Sequence, residues 1–212
     1  MTEPDDDRPL DPAEMLALAE RQRRRVDLAY VAPVAVLYLV WGIAWFVGFL
    51  LLWLGRVTDW MSLSLAGTVF GVLLVASIVT SAIVGMRIGR GVRGGSTAFQ
   101  GSVYGISWSL SGMAFAAVGV GLISNGMSPE LAGLYFPSAY ALMAGIMYLA
   151  GAALWNERSQ LVLGCLLLVV GSIAPFFGLP TNNLVMAIGG GGGFLVAAAH
   201  FALVIRRARH GA

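Results

Sequence analysis

Lysine is absent from the 212 residues, and charged residues of either sign make up only 11%. A soluble domain carries about 25% charge, so a soluble fold is excluded first. Cysteine occurs once, as Cys165, which rules out an intramolecular disulfide. No cluster of His, Cys or carboxylate at ligand spacing points to a metal or haem, so no cofactor is expected. No Asp, Glu or Arg falls inside the long apolar runs. Proton- and ion-coupled transporters keep such charges in the membrane to carry the coupling, so ion pumping is not expected.

What is present is apolar. Hydrophobic residues account for 58% of the chain, and mean hydropathy is +0.81. Six runs, at 30–54, 63–86, 101–123, 134–155, 160–179 and 184–205, are long enough to cross a hydrocarbon core about 30 Å thick. The fold class expected is all-α: a polytopic membrane protein with a six-helix bundle. Residues 1–29 form an acidic tail and a short basic helix, 30–205 the transmembrane domain, and 206–212 a basic tail.

The basic residues are all arginine, and they are unevenly placed. Arg21, Arg23, Arg24 and Arg25 precede the first run, Arg87, Arg90 and Arg93 follow the second, Arg158 follows the fourth, and Arg206, Arg207 and Arg209 follow the sixth. The opposite side holds only Arg56. The positive-inside rule then places both termini in the cytoplasm of a bacterial cell membrane. Topology already accounts for these arginines, so the net charge of +2 is no nucleic-acid signal.

The opening "MTEPDDD" is acidic where a secretory signal starts basic. Asp11, Pro12 and Glu14 read as a helix start: a capping Asp, Pro at the first position and Glu in the first turn. The helix expected there runs into the first span, with Met15, Leu16 and Leu18 able to rest on headgroups. A disordered tail ahead of a basic stop is the plainer alternative.

Several segments carry partial matches to known motifs. "GRGVRG" at 89–94 fits G-x-G-x-x-G, but it joins two spans without the strand and helix that aim backbone N–H groups at phosphate. A basic loop is the better reading. "SLSGMAFAAVG" at 109–119 resembles the nucleophile segment of rhomboid proteases, with Ser111 as nucleophile and His200 as base. Two spans separate that pair where rhomboids have one, and the usual glycines after the histidine are missing. Small residues of this kind are read as packing surface, and no enzymatic activity is expected. His200 remains the one group inside a span with an ordinary pKa near neutrality.

"VWGIAWFVGF" at 40–49 and "VYGISWSLSG" at 103–112 read as imperfect copies. Trp41 pairs with Tyr104, Trp45 with Trp108 and Gly48 with Ser111. A fainter echo, "GSIAPFFGL", includes Pro175, which should kink the fifth span. All three lie in odd-numbered spans, as expected of a helical hairpin used three times. The even-numbered spans read as packing elements, through Gly67-x-x-x-Gly71 and Gly189-x-x-x-Gly193. The five glycines from 189 to 193 give up about 1 kcal/mol each against Ala, which close packing or a cavity must offset.

The segment "LVWGIAWFVGF" resembles the W-G-x-x-W stretch in a pore helix of the bacterial urea/amide channels. That resemblance implies a path lined by Trp41, Trp45, Tyr104 and Trp108 for a flat neutral amide. Over its whole length the chain resembles uncharacterised six-span actinobacterial membrane proteins loosely labelled as transporters, through "GRGVRG", "GAALW" and "MAIGGGGGFLVAAA". Two function classes follow. One is a channel or facilitator for a small neutral solute, using Trp41, Trp45, Tyr104, Trp108, Ser111, Pro175 and His200. The other is a non-transporting scaffold or sensor subunit that docks a partner protein, with an ABC-type permease as a third, weaker option. A continuous aromatic-lined path favours the first, and a filled bundle axis the second. Lipid is the partner expected in either case, nucleic acid is not, and a homo-oligomer is left open.

Overall fold

The computed structural model describes residues 11–91 and 95–210. Residues 1–10, residues 92–94 and the last two residues lie outside that range. All regular structure among the described residues is helical: α1 (Pro12–Val57), α2 (Leu63–Gly91), α3 (Gly95–Ser124), α4 (Pro129–Trp155), α5 (Arg158–Ile173), α6 (Thr181–Val185) and α7 (Gly192–His210). Six stretches are long and apolar enough to cross a membrane: Val31–Val57, Leu63–Ile88, Thr97–Ser124, Pro129–Trp155, Arg158–Phe177 and Thr181–Ala208. The chain is an integral membrane protein of six spans, each where hydropathy placed one.

The helix starts follow local chemistry. Asp11 precedes Pro12, and its backbone N–H donates to the Glu14 carboxylate at 3.3 Å, one half of a capping box. From there α1 continues without a break through Pro33 into the first span. At a rise of about 1.5 Å per residue, Pro12–Tyr30 extends this helix about 28 Å beyond the span. At α4, the Ser128 hydroxyl accepts from Leu131 N–H at 3.3 Å, with Pro129 in the first turn. Asn156 ends α4 in the left-handed conformation at φ 52°.

Helix α1 is the hub, packed on α2, α7, α6 and the segment between those last two. Helices α4 and α5 form the other tight pair, and α3 leans chiefly on α4. Lipid is as apolar as the helix surfaces, so close backbone approach, not hydrophobic burial, holds such a bundle together. The α4–α5 seam shows this plainly. A Cβ built on Gly145 would lie 3.0 Å from the Gly164 carbonyl oxygen, and one on Gly164 would lie 2.9 Å from the Gly145 carbonyl oxygen. Three tyrosine hydroxyls fasten α3 to α4 by donating to backbone carbonyls: Tyr104 to Met147 at 3.0 Å, Tyr135 to Phe115 at 3.0 Å and Tyr140 to Gly112 at 3.2 Å.

Several sequence expectations need correction. Gly67 and Gly71 fit the small-x-x-x-small spacing but pack on nothing, since a Cβ on either meets no atom within 4 Å. Helix α2 turns Ala66, Phe70 and Ser77 toward the bundle instead. Pro175 lies near the start of a single 3₁₀ turn, Ala174–Phe177, which follows the end of α5 at Ile173 within the fifth span. Cys165 is a free thiol exposed on the outside of the bundle. Of the basic loop expected at 89–94, residues 89–91 belong to α2, and 92–94 lie outside the described residues.

The threefold hairpin is not confirmed. Helix α1 lies at the centre and α3 at the edge, so "GIAW" and "GISW" meet different surroundings. Trp45 is buried, whereas Trp108 is half-buried. Pairing is also unequal, because α4 packs more extensively on α5 than on its supposed hairpin mate α3.

Candidate functional site

The aromatic residues of both copies meet in one cluster. Trp45 lies edge-on to Phe49 and to Phe194, each at 5.6 Å between ring centres, and Phe194 lies 5.7 Å from Tyr148. Tyr148 contacts Trp108 at 5.5 Å, Trp108 contacts Tyr104 at 6.1 Å, and Tyr104 contacts Trp155 at 4.6 Å. Tyr38 joins from α1, 5.9 Å from Tyr148. Most of these pairs are edge-to-face or tilted, the arrangement that places the positive ring edge on a negative face. The rings fill the bundle: Tyr38 and Phe194 are each 2% exposed and Trp45 is 5% exposed.

The structure thus brings Trp45, Tyr104 and Trp108 together, though as packed core and not as the lining of an open path. Trp41 packs at the cluster's margin and donates its indole N–H to Ser81 Oγ on α2 at 3.0 Å. Ser111 is half-buried on α3 and Pro175 belongs to the 3₁₀ turn. His200 is exposed on α7, with its ring 5.7 Å from Phe201. No hydrogen bond joins Ser111 to His200, so nothing supports a serine–histidine pair. Among the described residues no group of three or more His, Cys, Asp or Glu could hold a metal ion.

The glycine run does pack, as the sequence suggested. A Cβ on Gly189 would meet Val170 at 2.7 Å, one on Gly190 the Trp45 ring at 2.8 Å, and one on Gly193 would overlap Leu166. Gly191 lies against the backbone of Phe46. Only Gly192 has open space around it. The backbone from Met186 to Gly191 forms a π-helical turn, wider than an α-helix and frequent at functional sites. Glycine permits this geometry at the point where α1 comes closest.

Sequence reasoning missed the buried polar atoms. Ser138 Oγ, Ser159 Oγ, Gln160 Oε1 and both carboxamide atoms of Asn182 are buried without a hydrogen-bond partner. Ser159 and Gln160 lie at the start of α5, where a Cβ on Gly151 would overlap Gln160 Oε1 and approach Tyr104 Oη to 2.7 Å. Ser138 and Asn182 lie toward the other end, beyond the aromatic cluster; on α4 the order is Ser138, Tyr148, Gly151. Residues 180–183 fall between the fifth and sixth apolar runs, so no local signal marked Asn182 as buried.

A shallow apolar groove of about 240 Å³ runs between α3 and α4, walled by Phe99, Val103, Tyr104, Met147 and Leu154. Comparison with family models, with curated proteins and with solved structures finds no match to this chain. The site must therefore be interpreted from its own chemistry.

Proposed function

We propose that this protein is a non-transporting membrane subunit, a scaffold or sensor that docks a partner protein through the helical extension of its first span. One observation carries the reading: the aromatic side chains best placed to line a path fill the bundle axis instead, with Trp45 5% exposed between Phe49 and Phe194. The Pro12–Tyr30 segment supplies the docking element, a helix continuous with the span and rich in arginine. Movement of that helix would pass directly to the hub of the bundle, because it is the same helix.

A second reading, a gated facilitator for a small neutral solute, is favoured by a different observation. Unpartnered polar atoms lie on both sides of the aromatic plug, at Ser159 and Gln160 and at Ser138 and Asn182. Buried polar groups without partners are costly in a membrane interior, and a purely packed bundle gains nothing from them. Flux decides between the readings. Purified protein in liposomes should pass urea, acetamide and glycerol no faster than protein-free liposomes do. A solute-specific rate that falls in Trp45→Ala or Trp108→Ala would establish the facilitator and overturn the scaffold.

Both readings place the termini in the cytoplasm of a bacterial plasma membrane, on the strength of twelve arginines against one. In a Cys165→Ala background, a cysteine at position 210 should resist a membrane-impermeant maleimide in intact cells and react once the cells are opened. Labelling from outside would invert the topology.

A further inference from the structure

We propose that the turn between the fourth and fifth spans binds the headgroup of a zwitterionic phospholipid bearing a primary ammonium, of the phosphatidylethanolamine class. Arg158 takes the phosphate, Glu157 takes the ammonium, and Leu149 and Leu161 flank the first part of an acyl chain. The site is a surface groove of about 280 Å³, walled by Leu149, Ala153, Asn156, Glu157, Arg158 and Leu161. Neither a partner protein nor solute flux is needed for it.

Depth selects lipid as the occupant. The fourth span ends at Trp155 and the fifth begins at Arg158, so the groove opens where the chain leaves the membrane. Four crossings return the chain to the side on which it began, so this is the face that carries the termini. Leu149 lies six residues before Trp155, about 9 Å deeper at the rise of an α-helix. Leu161 lies within the first turn of α5 and is exposed. Ala152 and Ala153 have short side chains, which leaves the hollow between those leucines. The groove thus runs from charged to apolar, as a phospholipid does, and membrane lipid is already present at that depth.

Charge selects the headgroup. The two ionised groups are held by the turn itself: Asn156 ends α4, and both its N–H and that of Glu157 donate to the Ala152 carbonyl, the latter at 3.1 Å. Glu157 then caps α5, its Oε1 accepting from Ser159 N–H at 3.0 Å. Its other oxygen is left to meet a ligand, and Arg158 stands exposed beside it. Among the described residues the two form no salt bridge with each other. An anionic lipid would suit Arg158 and be repelled by Glu157, whereas a zwitterion offers each group its opposite charge. A primary ammonium can also donate N–H bonds to the carboxylate, which a quaternary one cannot. The Asn156 carboxamide on the same wall can donate to the lipid's ester oxygens.

The test is lipid binding to the purified full chain in detergent, read by native mass spectrometry. Phosphatidylethanolamine, phosphatidylglycerol and phosphatidylcholine with identical acyl chains are the probes. Phosphatidylethanolamine should bind about fivefold more tightly than phosphatidylglycerol, the scale of one charge contact at a membrane surface, and more tightly than phosphatidylcholine. Arg158→Gln should weaken phosphatidylethanolamine binding by a similar factor of about five. Glu157→Gln, whose amide oxygen can still cap Ser159, should remove the preference over phosphatidylglycerol. Arg87→Gln, at an exposed arginine near the end of α2 and outside the groove, should change neither. Ala153→Phe, which puts a ring into the groove, should weaken all three lipids. Equal binding of the three lipids by wild type would mean ordinary lipid contact and overturn the proposal. So would tighter binding of phosphatidylglycerol, the mark of a plain basic surface, or an unchanged preference in Glu157→Gln.

Discussion

Gly191→Ala is expected to destabilise the folded protein in detergent, and Gly191→Leu to abolish it. A Cβ at this position would lie 2.6 Å from Phe46 Cα and 2.8 Å from Phe46 Cβ, and would overlap the Phe46 backbone nitrogen. Backbone atoms cannot rotate away as a side chain can. The two helices must therefore part, at the contact between the hub helix and the π-helical turn. Overpacking of this kind costs about 1–3 kcal/mol for a small group and more for a large one. Alanine's better helix propensity returns at most about 1 kcal/mol, so the net sign is destabilising. Gly192→Ala next door is the control. It meets no atom within 4 Å, so it should keep or raise the melting temperature. Gly67→Leu, which faces outward on α2, should be tolerated for the same reason. A wild-type melting temperature for Gly191→Ala would mean that α1 and the glycine run are not in contact.

Trp45→Ala should cost about 3–5 kcal/mol, the range for removing a large buried aromatic. The indole fills the space between Phe49 on its own helix and Gly190 and Phe194 of the sixth span. Gly190 has no side chain with which to refill it. Trp108→Ala should cost less, because its side chain is only half-buried. Trp60→Ala should have almost no effect, since that ring is 73% exposed in the turn after α1. Tryptophan-fluorescence melts of the three variants give the ranking. A Trp45→Ala protein as stable as wild type would show that the ring lines a space instead of filling a core, and would revive the open path.

Some of this could be read in the sequence because the causes are local. Span number and position depend on apolar run length against membrane thickness, and all six runs became helices. The start of α1 at Asp11-Pro12 is a matter of which neighbours can cap four free N–H groups. The glycine run announced close packing through its own helix cost, which some contact had to offset. Other features were illegible for an equally physical reason. Gly67 and Gly71 have the spacing of a packing motif and face away from the bundle, whereas Gly145 and Gly164 make the tightest backbone approach of the α4–α5 seam. Spacing along one helix says which residues share a face. It does not say which face another helix will cover.

The amino-acid sequence by itself determined that this is an apolar, charge-poor chain of six membrane-crossing helices. Hydropathy and helix capping act over a few residues and need no partner. Only the tertiary structure decided that Trp45 plugs the bundle while Trp108 stands at its edge, that Gly191 touches the backbone of Phe46, and that Asn182 lies buried in the short helix α6. Each of those depends on contacts between residues far apart in the chain, set by which helix becomes the hub.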